Sequence, residues 1–317
     1  MYLSHALNSR SDCAESTFKG VGGVTIFTHS WLPEAGSRAA IVIAHGFNSH
    51  SGHYTWAAEQ FVLAGFAVHA MDHRGRGKSG GERAHVDAFA DYVDDLATFV
   101  RVVKARQPGL PVFLLGHSAG GVISALYPID QQSELAGLIS ESSALQVPAP
   151  AVALATLNLL GRVMPHLRVV KLKNEDFSRN PEIVRSRNQD PLIAGERQTA
   201  KAISELIAAD EQLKTALTRL ALPLLILHGT EDKAASPGGS QLFFKTAGSK
   251  DKTLKLYPGA FHDLLNDLGR ETITADIIEW IDTRLAANKP LELQSLPAQQ
   301  HRSSAAKAAK QDEREAQ

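Results

Sequence analysis

The stretch Pro111-Val112-Phe113-Leu114-Leu115-Gly116-His117-Ser118-Ala119-Gly120-Gly121-Val122-Ile123-Ser124-Ala125-Leu126 decides the architecture. Its first five residues are apolar without alternation, as in a strand covered on both faces. Gly120–Leu126 begins a helix, and between the two lies Gly116-His117-Ser118-Ala119-Gly120. A serine on so tight a strand-to-helix turn projects its hydroxyl above the sheet, and small residues two positions either side let strand and helix pack closely. Gly116, His117 and Gly120 therefore read as an elbow, and Ser118 as a candidate nucleophile.

Outward from this point the same rhythm repeats. Strands are expected at Ala39–Ala44, Phe66–Met71, Ala136–Ile139, Leu224–Leu227 and Thr253–Tyr257, the first and fourth of them wholly apolar. Between them fall helical segments at Trp56–Ala64, Ser240–Thr246 and Thr272–Ala286. A further helix is expected from Val86 to Val103, where apolar residues recur at steps of three and one. Upstream, Val21-Gly22-Gly23-Val24 reads as a hairpin turn before a strand at Thr25–Trp31. Strands alternating with helices give an α/β fold with a mostly parallel, doubly wound sheet.

The rhythm breaks between residues 143 and 219, which read as several helices with no convincing strand. The expected organisation is a core formed by residues 1–142 and 220–288, a helical cap inserted at 143–219, and a disordered tail at 289–317, where Gln, Ala and charge dominate.

A serine hydroxyl is a weak nucleophile until a base takes its proton and an acid orients that base. On this strand order both partners should follow the serine, at the carboxyl ends of later strands. Leu224–Leu227 leads into His228-Gly229-Thr230-Glu231-Asp232, and Thr253–Tyr257 into Pro258-Gly259-Ala260-Phe261-His262-Asp263. Position singles out His262 among 13 histidines as the base, with Asp232 as the acid. Glu141, after another strand, is the alternative acid, and Glu231 reads as a surface group. Backbone N–H groups must also hold the developing oxyanion at about 3 Å. Ala119, next to the nucleophile, and Phe47, in the turn His45-Gly46-Phe47-Asn48, are the candidates. Gly75-Arg76-Gly77-Lys78-Ser79-Gly80 matches a dinucleotide fingerprint by spelling alone. No helix starts inside it, so it reads as a structural loop.

Together these residues resemble the monoacylglycerol lipase and lysophospholipase branch of the serine α/β-hydrolases, over roughly Phe18 to Ala286. His45-Gly46 with His50-Ser51 and Tyr54 is similar to that branch's H-G-x-x-x-H-S-x-x-Y segment. Met71-Asp72-His73-Arg74-Gly75, with Ser79 and Gly81-Glu82-Arg83, is similar to its arginine- and glycine-rich loop. Asp190-Pro191-Leu192 and Tyr257-Pro258-Gly259 are similar to segments near the end of its cap and around its histidine. Arg76 and Ala119 depart from it, standing where histidine and often methionine are usual.

The resemblance implies an α/β-hydrolase fold, a cap over the pocket and, as the small-molecule lipid or ester substrate, a monoacylglycerol or related long-chain ester cleaved through an acyl-enzyme on Ser118; that chemistry needs no metal or organic cofactor. Monoacylglycerol, lysophospholipid and other esters remain open as the substrate, with peptidase or acyltransferase chemistry as rivals on the same residues. A serine at 118 speaks against dehalogenase or epoxide hydrolase chemistry, which needs an aspartate there. The apolar run Val152–Leu160, with Val152, Leu154 and Leu157, either lines an acyl tunnel, dips into a lipid surface, or packs on the core. The group His45, His50 and His53 suits the oxyanion loop better than a zinc site.

Bulk properties bound these readings. Of 317 residues 44% are apolar and 21% charged, enough to bury a large core. A net charge of −1 gives no case for nucleic acid as a partner. Cys13 is the sole cysteine, so no intrachain disulfide forms, and a reducing, cytoplasmic location is expected, with peripheral membrane contact open. No segment offers the roughly 20 unbroken apolar residues of a spanning helix, and the start of the chain lacks a signal-peptide pattern. Oligomeric state is left open.

Overall fold

The computed structural model describes residues 12–146 and 149–287; Pro148 and the tail at 289–317 lie outside the described residues. The chain divides into a unit Met1–Trp280, which holds the sheet and the candidate site, and a unit Ile281–Gln317, whose described part is the helical run to Ala287.

Two strands, β1 (Asp12–Lys19) and β2 (Thr25–Leu32), form the opening hairpin, with Gly22 and Gly23 at positive φ in the turn. The single cysteine, Cys13, is exposed on β1. Then come β3 (Ala39–Ala44), α1 (Thr55–Leu63), β4 (Phe66–Met71), α2 (Ala90–Arg106), β5 (Val112–His117), α3 (Ala119–Leu126) and β6 (Gly137–Glu141). All residues of β3, β4, β5 and β6 are buried, which is why they carry no alternating pattern. Helix α2 starts four residues later than its apolar period suggests. Val86 and Phe89 are buried from the preceding loop, and the Phe89 N–H donates to Glu205 at 2.9 Å.

The insertion follows: α4 (Ala151–Val163), β7 (Arg168–Val170), α5 (Pro181–Gln189), β8 (Gln198–Thr199) and α6 (Ala200–Ala216). Strands β7 and β8 pair antiparallel, correcting the expectation of helices alone. Three and two residues are too few for alternation to show in sequence. Helix α4 lies close on α6 at Gly161, where a Cβ would meet Ser204 Oγ at 2.2 Å.

The core resumes with β9 (Leu224–Gly229), α7 (Pro237–Thr246), β10 (Lys252–Tyr257) and α8 (Arg270–Ala287). The eight-stranded sheet runs β1-β2-β4-β3-β5-β6-β9-β10, antiparallel at β1-β2-β4 and parallel beyond. Its register matters for chemistry. Ala44 faces Gly116, His117 faces Glu141 and Gly229 faces Tyr257, so the loops after β3, β5, β9 and β10 leave from one edge. Ligands collect at such carboxyl ends.

Candidate active site

Ser118 joins β5 to α3 with φ 56° and ψ −119°, a left-handed conformation costly to any residue with a Cβ. The fold holds it there from three sides. Its N–H donates to the Glu141 carbonyl at 3.0 Å, and its own carbonyl accepts from Gly121 and Ala144, each at 3.0 Å. Only glycine fits the flanks: a Cβ on Gly120 would lie 2.1 Å from the Ala44 carbonyl oxygen, and one on Gly116 2.5 Å from that of Gly120. Gly46 closes a further side, since a Cβ there would stand 2.7 Å from Ser118 Cβ.

The loops after β9 and β10 bring Asp232 and His262 together, with His262 Nδ1 donating to Asp232 Oδ2 at 2.7 Å. Both side chains are buried. The other carboxylate oxygen accepts the N–H groups of Ala234 and Ala235 at 2.7 and 2.9 Å, and His228 Nε2 adds a contact at 2.9 Å. Burial alone would push the Asp232 carboxyl up. The His262 charge, the hydrogen bonds from His228 and His262 and the Ala235 amide outweigh it and hold the group well below the usual carboxylate range. Glu141 does not take this place, because its carboxylate accepts the Leu265 N–H at 3.2 Å. Glu231 is exposed.

The remaining ring nitrogen, His262 Nε2, is buried and has no hydrogen-bond partner among the described residues, so the link to Ser118 is not made in this structure. Both residues line one cavity of about 230 Å³. Catalytic hydrogen bonds of this kind are often long without substrate and tighten with it. His117, read as part of the elbow, takes a hydrogen bond of 3.0 Å with Tyr54 and lies 4.8 Å, ring to ring, from His262.

Phe47 and Ala119 both sit in the same lining. Ala119 is the first residue of α3, and the opening amides of a helix have no carbonyl partner within it. The Phe47 turn is clamped by the Gly75–Gly80 loop. The Arg76 guanidinium, fully buried, stacks 3.8 Å over the Phe47 ring and reaches Glu196 and Gln198 at 2.6 and 2.7 Å. That loop is thus a support, with Gly77 at φ 51° and so close to Asp72 that a Cβ would meet its Oδ2 at 2.0 Å.

Ser118 and His262 are the polar members of the lining; the rest is apolar, including Leu154 and Leu157 of α4 and Leu206 and Ile207 of α6. Val152 is not brought there. It is 74% exposed, because two residues along a helix rotate by about 200°, placing it opposite Leu154. Sequence reasoning missed Phe177, whose ring lies 5.0 Å from His262, and His228, the second donor to Asp232. It also missed the α6 wall, although Ile203, Leu206 and Ile207 fall at helical spacing on one face. Larger clefts on the insertion, of about 330 and 640 Å³, contain neither Ser118 nor His262.

Residues 35–269 match the family described as serine aminopeptidase S33. A monoacylglycerol lipase of Mycolicibacterium smegmatis is 33% identical over 274 residues, covering 86% of this chain and 98% of the relative. A monoglyceride lipase of Rattus norvegicus is 35% identical over 269 residues, covering 83% and 89%. The crystal structure of Paleococcus ferrophilus monoacylglycerol lipase superposes with a TM-score of 0.72 at 29% identity, covering 86% and 99%. A soluble variant of the Saccharomyces cerevisiae monoglyceride lipase, at 22% identity and a TM-score of 0.78, shares the fold. With the parallel sheet, the serine elbow and these relatives in hand, the chain belongs to the serine aminopeptidase S33 family, in the monoacylglycerol lipase branch of the α/β-hydrolases, and is a lipase-like hydrolase of carboxylic esters.

Proposed function

We propose that Ser118, His262 and Asp232 are the catalytic triad of a monoacylglycerol lipase-like enzyme, with residues 143–219 as its cap. His262 Nε2 takes the proton from Ser118 as the oxygen attacks the ester carbonyl. The N–H groups of Phe47 and Ala119 hold the tetrahedral oxyanion, and Asp232 stabilises the imidazolium. The alcohol leaves with that proton. Water, deprotonated by His262, then releases the acid from the acyl-enzyme and regenerates the serine.

The observation that carries this reading is an enclosed apolar cavity whose polar members are the nucleophile and its base. It supports a fatty acyl group over a peptide, because the lining offers no carboxylate to meet an α-ammonium. A second cavity of about 240 Å³ shares Ala144, Ala149, Leu154, Leu206 and Ile207 with the first, and Gln146, Asp210, Glu211 and Lys214 complete its lining, so the apolar path ends at a polar wall. On the outer face of α4, Val152, Leu159 and Val163 are 74%, 60% and 63% exposed. This supports peripheral contact with a lipid surface, reached from the cytoplasm. No helix among the described residues is long and apolar enough to cross a membrane.

A hydrolysis panel tests the reading. Monoacylglycerols of graded chain length should exceed lysophospholipids, short p-nitrophenyl esters and amino-acid amides in kcat/KM. Ser118→Ala should lower every ester activity by about 10⁴-fold or more while the fold is kept. An unaltered rate in that variant removes the triad, and a preference for amides removes the substrate class.

A further inference from the structure

Arg187 and Asp263 form a buried ion pair between the insertion and the residue that follows the proposed base. Arg187, on α5, is 3% exposed, and its Nη2 donates to Asp263 Oδ2. Asp263 is fully buried and takes two further hydrogen bonds from Asn266 Nδ2, at 3.1 and 3.3 Å. Its backbone N–H donates to the Phe177 carbonyl at 2.9 Å, and the Phe177 ring lies against His262. The insertion therefore grips this loop by main chain, ring and charge.

The groups around His262 differ sharply in charge. From the end of β9 comes His228 and from the loop after it Asp232, from the end of β5 His117, from α1's approach Tyr54, and from the end of β6 Glu141. Burial lowers the His117 imidazole to about 4, leaving it neutral. Burial and the nearby Asp263 push the Glu141 carboxyl well above its usual range. Burial would do the same to Asp263, but the Arg187 charge outweighs it and keeps the carboxyl ionised. On its far side Arg187 faces His53, which burial and that cation lower to about 4. Two anions, Asp232 and Asp263, and one cation, Arg187, thus remain charged near the imidazole.

We propose that Arg187 is a positioning residue for the reaction: from the insertion it balances the Asp263 carboxylate, so that the His262 loop is held in register against the insertion. This rests on His262 being the base. Without Arg187 burial drives the Asp263 carboxyl toward its protonated form, and the charged tie between the insertion and the loop is lost. The imidazole is then aimed less well at Ser118, so kcat falls while KM, set by the apolar lining, holds.

The test compares Arg187→Met, Arg187→Lys and the double variant Arg187→Met/Asp263→Asn. It follows ester hydrolysis and the rate of fluorophosphonate labelling from pH 5 to 9. R187M should lose about tenfold in kcat and in labelling rate, with KM little changed. R187K should keep most of the wild-type kcat, and R187M/D263N, which removes the buried acid without restoring the tie, should stay as slow as R187M. A folded R187M with wild-type kcat, or a folded double variant that regains it, overturns the proposal. Should R187M not fold, the folded double variant decides by the same kcat. Wild-type protein that fails to label defeats the reading of Ser118 and His262 instead, and the two failures are thereby told apart.

Discussion

Helix α4 and the stretch from Asn174 to Asp190 belong to the same insertion, yet they meet the rest of the molecule by different forces. The second is tied down by directional bonds. Asn48 Nδ2 donates to Asn174 at 2.8 Å, Ser178 Oγ to the Asn266 carbonyl at 2.8 Å, and Arg179 Nε to Asp267 at 2.8 Å. Asp190 accepts from both His50 and His53, at 2.7 and 2.9 Å. The tautomer of His50 follows from the same geometry, since its Nδ1 accepts the Gly52 N–H and its Nε2 must carry the proton given to Asp190. Among the described residues no side-chain hydrogen bond joins α4 to the core; Thr156 bonds back to the Val152 carbonyl within the helix. Apolar contact has no preferred direction, so α4 can shift by an ångström without stranding a buried polar group. The Asn174–Asp190 stretch cannot, because each of its bonds would leave a partner unsatisfied. The half that touches the loops after β3 and β10 is fixed by directional bonds, and the half that lines the apolar cavity, held by contact alone, can adjust.

Asp267→Ala strikes the fixed half hardest. Asp267 accepts the N–H groups of Arg179 and Phe261 and the Arg179 Nε, so its loss releases insertion and His262 loop at once. A fall of about 100-fold in kcat is expected, with a loss of about 2–3 kcal/mol in urea unfolding. Wild-type kcat in D267A would mean that the bonds position nothing. Leu157→Trp probes the adjustable half by filling the cavity. The ratio of long-chain to short-chain kcat/KM should drop by about tenfold, and an unchanged ratio would place the acyl chain elsewhere.

Smaller effects belong to the outer faces. Val152→Ser, Leu159→Ser and Val163→Ser together should reduce partitioning onto liposomes by about tenfold while a water-soluble ester is cleaved within about twofold of wild type. Equal flotation of the two proteins disposes of lipid contact there. Last is Asp210 on α6, which burial raises to about 6 against the opposing pull of Lys214. A carboxyl raised in the folded state stabilises the fold when protonated. That contribution is whole below the unfolded value near 4, falls as pH rises, and is gone above about 6. Asp210→Asn should therefore raise Tm by a few degrees at pH 7.5 and hardly at all at pH 4.5. A Tm gain equal at both values would refute the sign.

The core was legible because its signals are local. A buried strand spells itself as an apolar run, an elbow as small residues around a serine, and a strand end as the place where Asp232 and His262 must appear. The insertion hides its organisation in contacts between distant residues. His50 and Asp190 are 140 positions apart, and Arg187 and Asp263 are 76 apart, so no periodicity records either pair. The α4 run misleads for another reason. Its apolar residues occupy both faces, and composition alone cannot separate Leu154, turned inward, from Val152, turned to solvent.

Gly46 has a consequence for stereochemistry. Its backbone stands against one flank of Ser118, and Ser118 lines the cavity beside it. An ester held in that cavity would meet the serine oxygen from the side Gly46 leaves uncovered. Esters branched next to the carbonyl should then react with one enantiomer ahead of the other, a handedness imposed by a residue that has none.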